Sequence, residues 1–496
     1  MTCPAHNGSE QFVGWGGPTR NGDHKSDIAQ YGDSPVHCSW AYGLDCSDSA
    51  GLQWLQASGG TGGLEWHDSK GNKFPESAQT MGHDYSYHCR DEASPHQNAF
   101  IYVSCFVPYV QRDESVNTKL RRQVLVSWIV FMVMLVPGTN AKCAFEAMFI
   151  FGDSNSDTGG FNAAFPSQPS PNGMTYFNRP TGRATDGRLY VDFLAQGLGL
   201  PFVSPYLQSI GSDYRHGANF ATAASTILMP TTSLFVNGVS PFYLAVQINQ
   251  MKQFKAKAEE FKSQGQTNLP QPDIFGKALY VIYIGQNDFT GFAGSAGAGG
   301  VKQYAPQIVS QVVSTVKELY SLGGRTFLVP NLGPVGCYPA FLVQFPHGSS
   351  DMDLSGCMMS HNNAVNEYNS MLKDALGQAR QDLKDANLIY VDTNSVLLEL
   401  YQNPTSHGMH HGTTACCGYG GGSYNYNQQV FCGYSKVVNG QTLTASACSD
   451  PQNYVSWDGI HLTEAANKIM ASAILSGSHF DPPFSLSQYC DIKPIG

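Results

Sequence analysis

Apolar residues in the second half of the chain gather into short runs that are separated by longer polar segments. Four runs are almost wholly apolar and end in turn-forming residues: AMFIFG (147–152), ALYVIYIG (278–285), TFLVPNLG (326–333) and LIYVDT (388–393). Continuous apolar runs, without alternation of apolar and polar positions, are typical of strands buried on both faces of a sheet. The pattern therefore predicts an internal parallel sheet.

Longer segments between these runs have the periodicity of helices. In residues 301–324 and 361–387, apolar side chains recur every three or four positions. Strands that alternate with helices of this length indicate an α/β protein with helices on both faces of a parallel sheet. Residues 178–195 read instead as a turn-rich entry into a helix, and residues 407–433 as a long loop held by cysteines.

A basic segment followed by an apolar one precedes the first predicted strand. Basic residues between Lys119 and Arg122 lead into a run of 13 residues, VLVSWIVFMVMLV, which is followed by small residues up to Ala141. This is the order of a secretory signal peptide, and the run is shorter than the roughly 20 apolar residues that span a bilayer. We expect residues 119–141 to be a signal peptide, with a buried core helix as the alternative and no stable membrane span.

The residues before this segment contain no readable motif. Residues 1–118 are rich in small and polar residues without sustained periodicity, which predicts little stable structure. We interpret them as an N-terminal extension that is disordered or absent from the mature protein. Residues 142–496 then form the functional domain.

The charge of the chain argues against two classes of partner. Its formal net charge is -10, and only 13% of its residues are charged. Binding to nucleic acid or to an anionic membrane surface needs a basic patch, and none is visible in the sequence. We therefore expect neither partner.

Eight cysteines follow Ala141, at positions Cys143, Cys337, Cys357, Cys416, Cys417, Cys432, Cys448 and Cys490. An even number of cysteines behind a signal-like segment favours disulfides in an oxidising compartment, with Cys337 and Cys357 a plausible local pair. We therefore expect a secreted protein, extracellular or in the cell wall, although a vacuolar destination is also compatible. The histidines at 407, 410 and 411, beside Cys416 and Cys417, suit zinc, but disulfides are the better explanation and we expect no metal.

The first apolar run ends at Gly-Asp-Ser and so places Ser154 at a strand end, where open α/β sheets bind their ligands. Ser154 is a candidate nucleophile, with a helix N-cap as the alternative. A serine nucleophile needs a base. His461 follows Asp458 by three residues, and in a tight turn that spacing lets the carboxylate orient the ring while the other ring nitrogen faces a serine. The alternative for this pair is a capped helix start.

Two further blocks contain candidate hydrogen-bond donors for a developing oxyanion. Asn287 follows the second apolar run, beside the conformationally permissive Gly285. The run GANFATAAS (217–225) has small residues whose backbone N–H groups can approach a ligand closely. The chain lacks G-x-S-x-G, which argues against an α/β-hydrolase nucleophile elbow.

Together and in this order, these blocks resemble the plant GDSL esterases and lipases of the SGNH hydrolase superfamily. The matching blocks are FGDSNSDTGG, GANFATAAS, GQND and DGIH, with VPNLGPVGCYP, and the resemblance covers residues 143–496. It implies a flavodoxin-like three-layer α/β/α sandwich with about five parallel strands. It also implies catalysis without a metal or organic cofactor.

The resemblance implies a role for each site residue. Ser154 would be the nucleophile, His461 the base and acid, and Asp458 the residue that orients the histidine. Asn287 and the backbone N–H of Ser154 would form part of the oxyanion hole. Where the family usually has a glycine in this hole, the chain has Ala224, which keeps the N–H but not the close approach that glycine permits.

The expected reaction is hydrolysis of carboxylic esters through an acyl-enzyme, on a small-molecule, lipid or cell-wall ester. Three alternatives stay open: an acyltransferase with the same site, an α-L-fucosidase-like glycosidase, and a non-catalytic cell-wall binding protein. The intact set of blocks counts against the last of these. Acyl chain length depends on loops such as 228–243 and 407–433, whose shapes the pattern does not predict.

Overall fold

The computed structural model describes residues 56–60, 63–67 and 143–496, apart from 232–238 and 266. The chain divides into two units, Met1–Asp113 and Glu114–Gly496. In the first unit, strands β1 (Gln56–Gly60) and β2 (Gly63–His67) pair as an antiparallel hairpin, which the sequence pattern does not predict. The signal-like segment 119–141 and most of the extension 1–118 lie outside the described residues, so both interpretations stay predictions.

Within the part of the second unit that the structure describes, twelve strands follow in chain order. They are β3 (Ala147–Gly152), β4 (Gly217–Asn219), β5 (Ala278–Tyr283), β6 (Thr326–Pro330), β7 (Asn387–Val391), β8 (His411–Ala415), β9 (Cys417–Gly418), β10 (Ser435–Val438), β11 (Gln441–Thr444), β12 (Ser446–Ala447), β13 (Tyr454–Ser456) and β14 (Phe480–Asp481). Six of them form the central sheet, in the order β14-β7-β6-β5-β3-β4. The others form two-stranded pairs: β8 with β13, β9 with β12, and β10 with β11.

The central sheet has five parallel strands and one antiparallel edge strand. Strands β3 to β7 are parallel, and β14 pairs antiparallel with β7. The order of the parallel strands is that of flavodoxin, with the topological switch point between β3 and β5. The predicted α/β class with about five parallel strands is confirmed.

The described residues of the second unit also contain eight helices. They are α1 (Gly160–Ala164), α2 (Tyr190–Leu198), α3 (Leu244–Ser263), α4 (Gln286–Ser321), α5 (Pro339–Gln344), α6 (Met359–Ala379), α7 (Thr393–Gln402) and α8 (Glu464–Ser476). Helix α4 packs against α3 and α6, whereas α8 packs against α2 and α7. No helix among the described residues is both long enough and apolar enough to cross a membrane.

The core covers both faces of the sheet. Every residue of β3 and β5 is buried, and side chains alternate between faces along a strand. Phe149 stacks on Phe275 and Phe151 stacks on Phe220, each with ring centroids 5.2 Å apart. Burial of one such side chain stabilises the fold by about 1.5–3 kcal/mol, so these strands anchor whatever follows their ends.

All four strands predicted from apolar runs are present. Strand β4 was not predicted, because its three residues, Gly-Ala-Asn, carry no β-branched or aromatic side chain. The helix predicted over 301–324 is part of α4, which begins fifteen residues earlier, at Gln286, and continues through Pro306. The loop predicted over 407–433 contains the short strands β8 and β9.

Four disulfides join the cysteines that follow Ala141: Cys143–Cys490, Cys337–Cys357, Cys416–Cys448 and Cys417–Cys432. The predicted local pair, Cys337 with Cys357, is confirmed. Both cysteines of the candidate zinc cluster are in disulfides. Within the described residues, no group of histidine, cysteine and acidic side chains is arranged to hold a metal ion.

Candidate active site

Polar residues follow the ends of strands β3 and β5, at the topological switch point of the sheet. Ser154 lies two residues beyond the end of β3, and Asn287 lies just inside α4, which follows β5. The turn after β3 requires glycine, because a Cβ atom on Gly152, whose φ is +155°, would lie 2.1 Å from the carbonyl oxygen of Tyr283. The sheet topology therefore brings the two predicted blocks to one edge, as expected for a ligand site in such a sheet.

The side chains of Ser154, His461 and Asp458 form a continuous chain of hydrogen bonds. Oγ of Ser154 lies 2.7 Å from Nε2 of His461, and Nδ1 of His461 lies 2.6 Å from Oδ2 of Asp458. The Ser154 side chain is largely buried, with 6% of the residue exposed. The structure thus brings together three predicted residues that lie up to 307 positions apart.

A tight turn holds the carboxylate of Asp458 against the histidine ring. Oδ1 of Asp458 accepts the backbone N–H groups of Ile460 and His461, at 3.0 and 2.8 Å, which leaves Oδ2 for the ring. Burial raises the pKa of Asp458, but the charge of His461 and these hydrogen bonds outweigh it and lower the pKa overall. Burial lowers the pKa of His461, but the charge of Asp458 and its hydrogen bond raise it overall. The carboxylate is therefore ionised and ready to stabilise a protonated ring.

The candidate oxyanion residues lie in adjoining segments. Nδ2 of Asn287 donates to the carbonyl oxygen of Ser225 at 2.9 Å, directly after Ala224. Ala224 has a φ of +62°, in the region that L-residues seldom adopt. Gly285, the N-cap of α4, has a φ of +123°, and a Cβ atom there would lie 3.1 Å from Ile227. Neither the N–H of Ser154 nor that of Ala224 donates a hydrogen bond to any described residue.

Three buried aspartates that sequence reasoning did not single out organise the backbone around the site. Asp157 accepts the N–H groups of Gly159, Gly160, Phe161 and Ala223, and burial raises its pKa to about 6. Asp288 accepts those of Ile227 and Leu228, and burial raises its pKa to about 7. These two aspartates tie the small-residue block to the segments after β3 and β5.

The third buried aspartate, Asp153, directly precedes Ser154. Its Oδ1 accepts the backbone N–H and the side-chain amide of Asn155, each at 3.0 Å. Burial raises the pKa of Asp153 to about 6, while the hydrogen bonds from Asn155 and the charge of His461 act in the opposite direction. The only sequence signal for these residues is their place in the matched blocks, which does not reveal their partners.

The fold and these contacts define a class of protein: an α/β chain of hydrolase type with a Ser-His-Asp arrangement at the switch point of a flavodoxin-like sheet. The family model described as GDSL-like Lipase/Acylhydrolase matches residues 148–474. The chain belongs to this family, as the sequence blocks predicted.

Two of three similar relatives are named GDSL esterase/lipases, and the third is named as a fucosidase. The chain is 57% identical over 376 residues to the GDSL esterase/lipase At4g01130 of Arabidopsis thaliana, covering 75% of this chain and 98% of that protein. It is 44% identical to the GDSL esterase/lipase ENOD8 of Medicago truncatula, covering 74% and 96%. It is also 42% identical to a protein named Alpha-L-fucosidase 3 of Arabidopsis thaliana, covering 69% and 94%. The predicted enzyme class, ester hydrolysis, is confirmed by membership of the family.

Proposed function

We propose that the chain is a secreted serine esterase in which Ser154, His461 and Asp458 act as a catalytic triad. The observation that carries the proposal is the unbroken hydrogen-bond chain, 2.7 Å from serine to histidine and 2.6 Å from histidine to aspartate. A serine hydroxyl is a weak nucleophile unless a base removes its proton, and this geometry supplies the base.

The reaction has two halves. In the first, Oγ of Ser154 attacks the acyl carbon while Nε2 of His461 takes the hydroxyl proton, and the protonated ring then gives this proton to the leaving alcohol. In the second, His461 takes a proton from water, the hydroxide attacks the acyl-enzyme, and the proton returns to Ser154 as the acid leaves. Asp458 holds the ring in the correct tautomer and stabilises its protonated state.

Three donors are proposed to stabilise the tetrahedral intermediate: the backbone N–H groups of Ser154 and Ala224, and Nδ2 of Asn287. An amide nitrogen carries two hydrogens, so Asn287 can hold its side chain on Ser225 with one and offer the other to the oxyanion. Donors held in place before the reaction avoid reorganisation when the charge develops.

The proposed substrate is a small-molecule, lipid or cell-wall ester, reached outside the cytosol. The disulfides support secretion, because such bonds persist in oxidising compartments. The relative named as a fucosidase makes glycoside hydrolysis the alternative to test directly.

The test is hydrolysis of p-nitrophenyl esters, from acetate to palmitate, by the full chain folded under oxidising conditions. Ser154→Ala should lower kcat by more than about 10⁴-fold, because the nucleophile is lost. Ser156→Ala is the matched control, since its hydroxyl contacts Oη of Tyr190 at 2.8 Å instead of His461. This control should keep turnover.

Ester hydrolysis that survives in Ser154→Ala would contradict the proposed nucleophile. Release of p-nitrophenol from p-nitrophenyl α-L-fucoside at the same rate in Ser154→Ala as in the wild type would favour the glycosidase alternative. Added alcohols that divert the acyl group from water would favour acyl transfer.

A further inference from the structure

A buried glutamine side chain contacts the backbone just before the nucleophile. Gln247, on α3, is fully buried. Its Oε1 accepts the N–H of Gly152 at 2.9 Å, and its Nε2 donates to the carbonyl oxygen of the same residue at 2.8 Å. One side-chain amide therefore contacts both polar groups of a single backbone position, across 95 residues of sequence.

The sheet topology explains why Gly152 needs this partner. Alternate residues of β3 bond towards β4: the N–H of Met148 donates to His216, and the carbonyl of Ile150 accepts from Phe220. Gly152 is the next residue in this row: its carbonyl still accepts the N–H of Thr222 at 3.2 Å, beyond the end of β4 at Asn219, whereas its N–H donates to Gln247. Because an unpaired backbone N–H is costly in the interior, this N–H requires an acceptor, which the side chain of Gln247 supplies. The amide of Gln247 has the same donor and acceptor as a peptide group.

The same amide reaches the segment that carries the oxyanion donors. Nε2 of Gln247 also donates to the carbonyl oxygen of Phe242 at 3.0 Å, and that oxygen accepts the hydroxyl of Ser225 at 2.8 Å. The carbonyl of Ser225 in turn accepts Nδ2 of Asn287. A continuous network therefore joins the backbone before Ser154 to the proposed oxyanion hole.

We infer that Gln247 is a positioning residue for ester hydrolysis, which sets the distance between the nucleophile of Ser154 and the oxyanion donors. The inference rests on the proposed function, because it concerns the placement of that nucleophile and those donors. Reacting groups displaced by about 1 Å can lose roughly 100-fold in rate, so the network governs the chemical step and not the binding of substrate.

The test compares Gln247→Met with Met251→Ala in the full chain. Methionine keeps the length of glutamine but has no amide, whereas Met251→Ala opens a cavity one turn further along α3, at a fully buried side chain without polar atoms. Both variants lose stability, but only the first removes contacts to Gly152. Each is measured for kcat and KM on p-nitrophenyl acetate and for the rate and final extent of labelling by a fluorophosphonate.

Gln247→Met is expected to lower kcat and the labelling rate at least tenfold, with KM within a factor of about three and the extent of labelling unchanged. The final extent of labelling measures the fraction of correctly folded sites, whereas the labelling rate depends on the geometry of those sites. Partial misfolding would therefore lower the extent and not the rate. Met251→Ala is expected to keep the wild-type rates per labelled site. Equal rates in Gln247→Met and wild type, or equal losses in the two variants, would overturn the inference.

A second variant covers the case in which Gln247→Met yields no labelled sites. In Gln247→Glu, a protonated carboxyl can accept from the N–H of Gly152 and donate to its carbonyl, whereas the ionised carboxylate cannot donate. Its labelling rate relative to wild type should therefore fall as pH rises from 6 to 8, and a constant ratio would overturn the inference.

The Ser154→Ala variant separates the two proposals. If this variant stays active, the proposed function fails. If it is inactive while the Gln247 variants have wild-type rates, only the inference about Gln247 fails.

Discussion

The indole N–H of Trp457 donates a hydrogen bond of 2.9 Å to Oδ1 of Asn172, although 285 residues separate the two. Trp457 is buried and directly precedes Asp458. Its backbone N–H donates to the carbonyl of His461 at 2.7 Å, and its own carbonyl accepts the N–H of Cys417 at 2.6 Å. The turn that carries the aspartate and histidine is therefore held by contacts outside itself.

Trp457 packs in a small cluster of its own, apart from the main core. The buried members of this cluster are Trp457, Cys416, Cys417 and Cys432. Two disulfides converge there, because the adjacent cysteines bond to Cys448 and Cys432. The cluster supports the turn of the proposed triad through disulfides and a tryptophan, since few aliphatic side chains are present to do so.

Removal of the Cys417–Cys432 disulfide, by Cys417→Ala with Cys432→Ala, is expected to impair activity beyond its effect on stability. The Cys337–Cys357 pair is the matched control, because the sequence separations are 15 and 20 residues. Because the two disulfides close loops of similar size, loss of either should lower the free energy of unfolding by a similar amount, about 3 kcal/mol. We expect kcat on p-nitrophenyl acetate to fall at least about tenfold more in the first double variant, because the disulfide no longer holds the segment whose backbone N–H donates to Trp457. Equal activities of the two double variants under conditions in which both are folded would contradict the role of this cluster.

Asp458→Asn should reduce turnover and shift its pH dependence. The amide cannot stabilise the protonated ring as a carboxylate does. Replacement of the triad aspartate by asparagine in a serine protease lowers kcat by roughly 10⁴-fold, which sets the scale expected here. Steady-state hydrolysis of p-nitrophenyl acetate measures the loss.

The pH shift has a definite sign. The charge and hydrogen bond of Asp458 hold the pKa of His461 above its ordinary value, and only the neutral ring can accept the serine proton. Activity of the wild type should therefore rise with pH through this raised pKa. In Asp458→Asn the acid limb of the kcat/KM profile should move to lower pH, and an unmoved limb would assign that titration to another group.

Asp192→Asn should destabilise the fold strongly. Asp192, near the start of α2, accepts two hydrogen bonds from the guanidinium of Arg183, at 2.8 and 2.7 Å, and both side chains are buried. Loss of the carboxylate leaves an uncompensated buried charge, which costs about 3–5 kcal/mol in the free energy of unfolding. Denaturant titration measures this cost.

The control for this prediction is an ion pair at the surface. Lys302 and Glu367 are 57% and 54% exposed, and their atoms lie 2.6 Å apart. Glu367→Gln should change the free energy of unfolding by less than about 1 kcal/mol, because solvent screens exposed pairs. Similar losses in the buried and exposed variants would refute the distinction.

Ala224→Gly should preserve both stability and activity. Ala224 has a φ of +62°, which costs an L-residue about 1–2 kcal/mol, and glycine removes this strain while adding entropy to the unfolded chain. Its backbone N–H remains, so kcat should stay within about threefold. Ala221→Gly, at a buried position of the same block that has no such strain, should instead lose about 1 kcal/mol. A large loss in Ala224→Gly would show that its methyl group has a role of its own.

Much of the sheet could be predicted because a strand buried on both faces has a continuous run of apolar residues, which is visible in the local sequence. The four apolar runs mark β3, β5, β6 and β7 without reference to any distant residue. Strand β4 has no such run. Its Gly-Ala-Asn sequence forms a strand only because it pairs with β3. Strand β14 has two residues and depends equally on its neighbour β7.

In the candidate site, too, contacts between residues close in sequence could be predicted and contacts between distant residues could not. The Asp458-to-His461 contact lies within one turn of chain, so the spacing in the sequence is enough to predict it. The contacts of Gln247 with Gly152 and of Trp457 with Asn172 carry no local signal, because these partners lie 95 and 285 residues away. The role of Gln247 depends on a backbone N–H of β3, and that of Trp457 on a distant side chain, and the fold places both partners.

The sequence by itself determined the class of fold, the family and the residues proposed for the chemistry, because apolar periodicity and short motifs are properties of neighbouring residues. Only the tertiary structure decided that Ser154 meets His461, how the six cysteines other than Cys337 and Cys357 pair, and that a glutamine accepts the backbone N–H of Gly152 behind the nucleophile. These outcomes depend on buried polar groups finding partners in space, and distance along the chain does not specify that.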